Sequence, residues 1–174
     1  MSHTRWLPFL LILTVLVLPA QAAKDKVKPR DMMLPGGFPK VTEEQLALTE
    51  VAYAKGAPAV VLLEAQEYEW EGLEFLRDRY LRRIKILTED AIEEHGSFRY
   101  RLYGSWRVKE VDARTILPDG TVVDAKEGIN REKSEDGIQV IQISFPQVQV
   151  GAILDLDIKL TSPYWTISPW TIQE

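Results

Sequence analysis

Glu67, Glu69 and Glu71 alternate with Tyr68 and Trp70, a spacing that on an extended chain puts all three carboxylates on one face, about 7 Å apart. Paired carboxylates at such separations carry out glycoside hydrolysis. An ordinary solvated strand face shows the same alternation, and Arg77, Arg79, Arg82 and Arg83 follow closely enough to pair with it across a hairpin. The pairing reading is the stronger, because nothing in the pattern foretells a cleft. Asp155 and Asp157 share a second face. They resemble calcium ligands, yet calcium needs six to eight oxygens from a chain that bends around the ion, and a straight Asp-Leu-Asp run supplies two side chains on a solvated face.

Thiolate chemistry is excluded, since the sequence contains no Cys. His3 falls within an N-terminal leader, which leaves His95 alone, and one imidazole makes neither a two-His zinc site nor a His-Glu-x-x-His helix. His95 is expected to be a solvated turn residue. Arg114 is expected to hold Asp112 or Asp119 across a hairpin, a structural role. Near the end of the chain Tyr164, Trp165 and Trp170 cluster between and beyond Pro163 and Pro169. Aromatics of this kind stack on sugars or anchor a partner domain; docking or core packing is the expectation here, and these three are the candidate partner-facing residues. No catalytic, cofactor-binding or metal-binding residue is expected, and no cofactor.

The elements that position these residues begin after the leader. Arg5 precedes an apolar run from Leu7 to Leu18, and Ala20-Gln21-Ala22 offers small residues where a signal peptidase cuts, so residues 1–22 are expected to be a signal peptide removed on export to the periplasm or beyond. The apolar run is shorter than the roughly 20 residues that span a bilayer, and no Cys follows it for lipid attachment. The remainder is the size of one domain. A formal net charge of −5, one unit more negative without Arg5, argues against general affinity for nucleic acid or anionic lipid.

Residues 23–41 mix charge with Pro and Gly and predict a linker. Thr42-Glu43-Glu44-Gln45 has the form of a capping box and opens a short helix over about 43–53, stopped by Gly56 and Pro58. Ala59 to Leu63 is a continuous apolar run suited to a strand buried on both faces, and Gly72 is placed to turn the chain. The segment 73–87 supports two readings: Leu73, Leu76, Tyr80, Ile84 and Leu87 step by three and four as on a helix, whereas Arg82 to Leu87 ends in strand-like alternation. Phe98, Tyr100 and Leu102 alternate cleanly, Trp106 to Val111 begins another strand, Pro118-Asp119-Gly120 predicts a hairpin turn, and Glu135-Asp136-Gly137 predicts a second. Ile138 to Ile143 and Ala152 to Leu160 complete the strands. Short strands with turns at close intervals define an all-β sandwich or barrel.

Four stretches resemble the bacterial domain family DUF3857: Gly56 to Leu63, Arg83 to Glu89, Glu110 to Gly120, and Phe145-Pro146 with Val150-Gly151. The third is the most specific, and the resemblance covers roughly residues 42–174. It implies an immunoglobulin-like β-sandwich with a short N-terminal helix, in which 73–87 becomes a long strand. Ala91 stands where the family pattern carries Gly, so the turn there is expected to be rebuilt as a short helix through Ala91-Ile92-Glu93-Glu94. Similar proteins continue past the Trp170-x-x-Gln173 region into a transglutaminase-like domain, so the chain is expected to be either naturally short or truncated, and its end just after a strand-like Trp-Thr-Ile run favours truncation. On this resemblance the chain is a non-catalytic exported module that positions or docks such a domain; the alternative is a glycan- or peptidoglycan-binding module of the cell envelope.

Overall fold

Thr42 opens the first element as the capping box requires. Its side chain accepts from the Gln45 amide, and the Gln45 side chain accepts from the Thr42 amide, so two orphan donors are satisfied reciprocally. The helix α1 (Glu43–Ala47) is shorter than the expected 43–53. The chain beyond it forms an isolated bridge between Val51 and Ala54 instead. The computed structural model describes residues 34, 36–71, 75–102, 104–133 and 138–163. The expected signal peptide, most of the linker, the Gly72 turn, the 135–137 turn and the Tyr164, Trp165 and Trp170 cluster lie outside the described residues.

Eight strands follow: β1 (Ala59–Glu71), β2 (Phe75–Ile86), β3 (Ser97–Leu102), β4 (Arg107–Ile116), β5 (Val122–Asp124), β6 (Ile129–Lys133), β7 (Gln139–Ser144) and β8 (Ile153–Ser162). They build two antiparallel sheets, one of order β1-β2-β8-β4-β5 and one of order β3-β7-β6. The fold is an all-β sandwich. Its short helix α2 (Asp90–His95) joins β2 to β3 and buries Ala91 completely, so the Ala that departs from the family pattern does sit in a rebuilt helical turn. Among the described residues no helix is long and apolar enough to cross a membrane.

Segment 75–86 is strand. The helical stripe misleads because Leu76, Tyr80 and Ile84 step by four, an even number, and therefore also share one face of a strand. That face packs on the small sheet: Leu76, Tyr80, Leu156, Ile158 and Leu160 meet Leu102, Ile141 and Ile143 in one core. Ile84, Ile86 and Leu154 extend burial under α2. Burial of each such side chain contributes about 1.5–3 kcal/mol. The apolar start of β1 is not buried on both faces as its composition suggested. Among the described strands β1 lies at the sheet edge, and Val61 is 45% exposed.

The Pro118-Asp119-Gly120 signal is a hairpin turn between β4 and β5. Gly120 takes a φ of +86°, which favours glycine, and the Asp119 carboxylate accepts from the Thr121 amide, a bond that holds the Asp119 carboxyl below the usual range. A tighter constraint lies at Gly128, where a Cβ would stand 2.2 Å from the Ser144 carbonyl oxygen. Gly128→Ala is expected to destabilise the fold by about 1–3 kcal/mol through this overpacking, seen as a lower urea midpoint with an unchanged slope. An unchanged midpoint would show that the backbone there yields freely.

Candidate functional site

Successive side chains alternate across a strand, so the odd-numbered residues of β2 and β8 point away from the core. On that outer face they form a buried ionic ladder. Asp155 lies opposite Arg83 in the β2–β8 register and opposite Arg114 in the β4–β8 register. It accepts from Arg83 Nε at 2.6 Å and Nη2 at 2.9 Å, and from Arg114 Nε at 3.0 Å. Asp157 accepts a fork from Arg79, Nε at 3.0 Å and Nη2 at 2.6 Å. Both aspartates are 1% exposed.

What hides this face from water is the segment 37–46. Arg79 donates to the Gly37 carbonyl, Arg83 to the Pro39 carbonyl and to the Gln45 side chain, and the fully buried Lys85 to the carbonyls of Leu46 and Gly151. The Arg114 guanidinium lies 4.4 Å from the Phe38 ring centroid, a cation–π contact. Burial alone pushes the Lys85 ammonium below its ordinary pKa. The cations thus bridge carboxylates beneath them to backbone oxygens above, a strap clamped across the sheet.

Three expectations are corrected by this arrangement. The face of Asp155 and Asp157 is buried rather than solvated, because the strap covers it, and guanidinium donors occupy the carboxylates. Arg114 holds Asp155, not Asp112 or Asp119. Arg83 reaches across to Asp155 on β8, not to the glutamates of β1, while Arg79 binds Asp157 and also stands opposite Glu67. Asp112, opposite Asp157 in the register, is exposed; partial burial and the nearby Glu110 charge push its carboxyl above the usual range.

Where the strap ends, a half-open cavity of about 460 Å³ remains on the same face, lined by Glu67, Glu69, Arg77, Arg79, Lys109 and Lys159 among others. A cleft therefore lies over the glutamates after all. Glu69 pairs with Arg77 at 3.7 Å and Lys159 with Glu110 at 2.5 Å. Lys109 is the extra residue of a β-bulge, where the register of β4 on β8 shifts between Val108 and Glu110; bulges of this kind re-aim a side chain. The cavity is mixed in charge, with cations and carboxylates interleaved. Among the described residues no group of three or more His, Asp or Glu could hold a metal.

The inner face carries polar groups that the sequence reading passed over. Asp78, 2% exposed, sits between Leu76 and Tyr80 on the core side of β2, and it accepts from the Gln66 amide, one bond to each oxygen at 2.9 Å. Burial pushes its carboxyl up to about 6. Nearby, burial raises the Tyr68 phenol to about 12, with Asp78 adding to the effect, and Tyr80 donates to Glu64. The available signal was parity, an acid at an even position in a row of core residues. His95 is the last residue of α2 and half-buried, not a solvated turn.

A two-sheet antiparallel sandwich with a strapped outer face is the class of domain that this architecture defines. The chain belongs to the DUF3857 family, a domain of unknown function with a solved structure, whose model matches residues 77–170. Among solved structures it is similar to one from Parabacteroides distasonis described as a "putative protease", at 14% identity and a TM-score of 0.55 over 61% of this chain. The chain spans 23% of that structure's length, and a likeness at this identity concerns the fold. No curated protein matches the chain.

Proposed function

We propose that this domain is a non-catalytic, exported module that positions an associated transglutaminase-like domain. The observation that carries the reading is the strap. Three arginines and a buried lysine are committed to fastening residues 37–46 onto the sheet, which is what a rigid mount requires. The match to less than a quarter of a longer solved chain accords with a module that works beside another. A thiolate nucleophile has to come from elsewhere, since this chain has no Cys.

The second reading, a glycan- or peptidoglycan-binding module, draws on the mixed-charge cavity. Its expected aromatic strip is weakened at the β1–β2 hairpin: Trp70 and Phe75 are exposed, but their register places them on opposite faces. One experiment separates the two. The purified chain is titrated by calorimetry with a transglutaminase-like domain from a family member that carries both domains, and in parallel is sedimented with insoluble peptidoglycan. Association with the domain and recovery in the supernatant are expected; sedimentation with peptidoglycan and no heat with the domain would reverse the order of the readings.

A further inference from the structure

Arg82 differs from the other arginines of its sheet. Arg79, Arg83 and Arg114 each make hydrogen bonds to a buried carboxylate, whereas the carboxylate recorded beside Arg82 among the described residues is Glu64, at 3.9 Å. That separation is too long for a hydrogen bond. Its Nε is buried with no acceptor, and Glu64 instead accepts from the Tyr80 hydroxyl. A guanidinium donor hidden from water without a partner carries the desolvation cost of an unmade hydrogen bond. Among the described residues the Arg82 guanidinium thus meets no carboxylate at hydrogen-bonding distance.

The space beside Arg82 has a defined shape. Between the two sheets, where α2 crosses their end, lies a cleft of about 240 Å³. Ile84, Leu154, Leu156, Phe98 and Phe145 give it apolar walls, with Arg82 among them. The guanidinium carbon lies 6.0 Å from the Phe98 ring centroid, at the outer limit of a cation–π contact. Glu94, His95 and Ser97 complete the lining, and Glu94 and Ser97 are exposed at its mouth. A dry cavity of about 150 Å³ already accepts a benzene ring, so this cleft has room for a branched aliphatic or aromatic group together with a small polar head.

We propose that this cleft binds a carboxylate attached to an apolar group, with the carboxylate on Arg82 and the apolar group against Phe98, Phe145, Leu154 and Leu156. Apolar walls with one convergent charged donor are the composition of a small-ligand site, and a guanidinium fork matches a carboxylate in two bonds. The chemistry is shared by a free small acid and by the C-terminal residue of a peptide ending in leucine or a similar side chain. The site is separate from the strap and the outer cavity, so it does not depend on the positioning role.

The test compares acid and amide on the unaltered full chain by calorimetry or by amide chemical shifts. The probes are 4-methylpentanoate and 4-methylpentanamide, and the dipeptide acetyl-Ala-Leu with its C-terminus free or amidated. At least one acid is expected to bind at least tenfold more tightly than its amide. Shifts should appear at Ile84, Phe98 and Leu154, and Arg82→Gln should erase the preference. Preference for the peptide acid assigns the site to chain ends; preference for 4-methylpentanoate assigns it to free acids. Acid and amide binding equally, or neither acid binding at about 10 mM, a concentration that would reveal even a millimolar ligand, would overturn the proposal. Phe145→Ala, which leaves Arg82 in place, is expected to weaken both acids. That result separates loss of the site from a folding defect of the Arg82 variant.

Discussion

Asp155→Ala is expected to lower the unfolding free energy by about 3–5 kcal/mol, the cost of leaving a buried charge without its partner. Asp155 neutralises two guanidinium groups at once, and the Arg83 side chain is only 2% exposed, so after truncation Arg83 has neither a counter-ion nor water. A chain of this size has total stability of about 5–15 kcal/mol, so the variant should melt far below the parent and expose the strap to proteolysis within residues 37–46. The net worth of the intact pair is a separate quantity. The double variant Asp155→Leu with Arg83→Met should recover a large part of the loss, because a packed apolar pair often matches or exceeds a buried ion pair. Equilibrium urea unfolding of the three proteins decides the point: a loss below about 1 kcal/mol in Asp155→Ala would mean that water reaches the ladder.

Asp78→Asn should act in the opposite direction. The Asp78 carboxyl is raised from 3.8 to about 6, mainly by burial. At pH well below 4 both folded and unfolded chains carry the proton and the site costs nothing. As pH rises from about 4 to about 6 the unfolded chain loses its proton first, so stability falls across that window and then levels off, with a total penalty on the order of 3 kcal/mol. Asn keeps an acceptor for the Gln66 amide and carries no charge to desolvate. The variant is therefore expected to be more stable than the parent by about 1–3 kcal/mol at pH 8. That advantage should shrink as pH approaches 4. Urea midpoints at pH 8 and pH 4 read it directly, and an Asn variant that is weaker at pH 8 would show that the ionised Asp78 is well solvated.

The two faces of β2 explain what the sequence could and could not disclose. Capping box, hairpin turn and strand alternation were all legible because each rests on residues adjacent in the chain. The strand character of 75–86 was not settled locally, since a four-residue step satisfies helix and strand alike; only the resemblance decided it. Asp155 and Asp157 looked solvated for a physical reason. Alternation tells which residues share a face, but whether water or another segment lies over that face depends on contacts such as Arg79 to Gly37 and Lys85 to Leu46, far apart in sequence. The Arg82 cleft was invisible for the same cause, being assembled from β2, α2, β3, β8 and the residue after β7.

The family model begins at residue 77, two positions into β2, and so omits β1, α1 and the strap. Yet β1 supplies the hydrogen-bonding neighbour along the whole of β2, and the carbonyls of Gly37, Pro39 and Leu46 complete the coordination of Arg79, Arg83 and Lys85. The evolutionary boundary and the physical one therefore do not coincide. A fragment trimmed to the matched region would leave a row of charges facing open solvent along one flank and a bare strand edge along the other, so the autonomous folding unit has to be drawn at least from Gly37 onward.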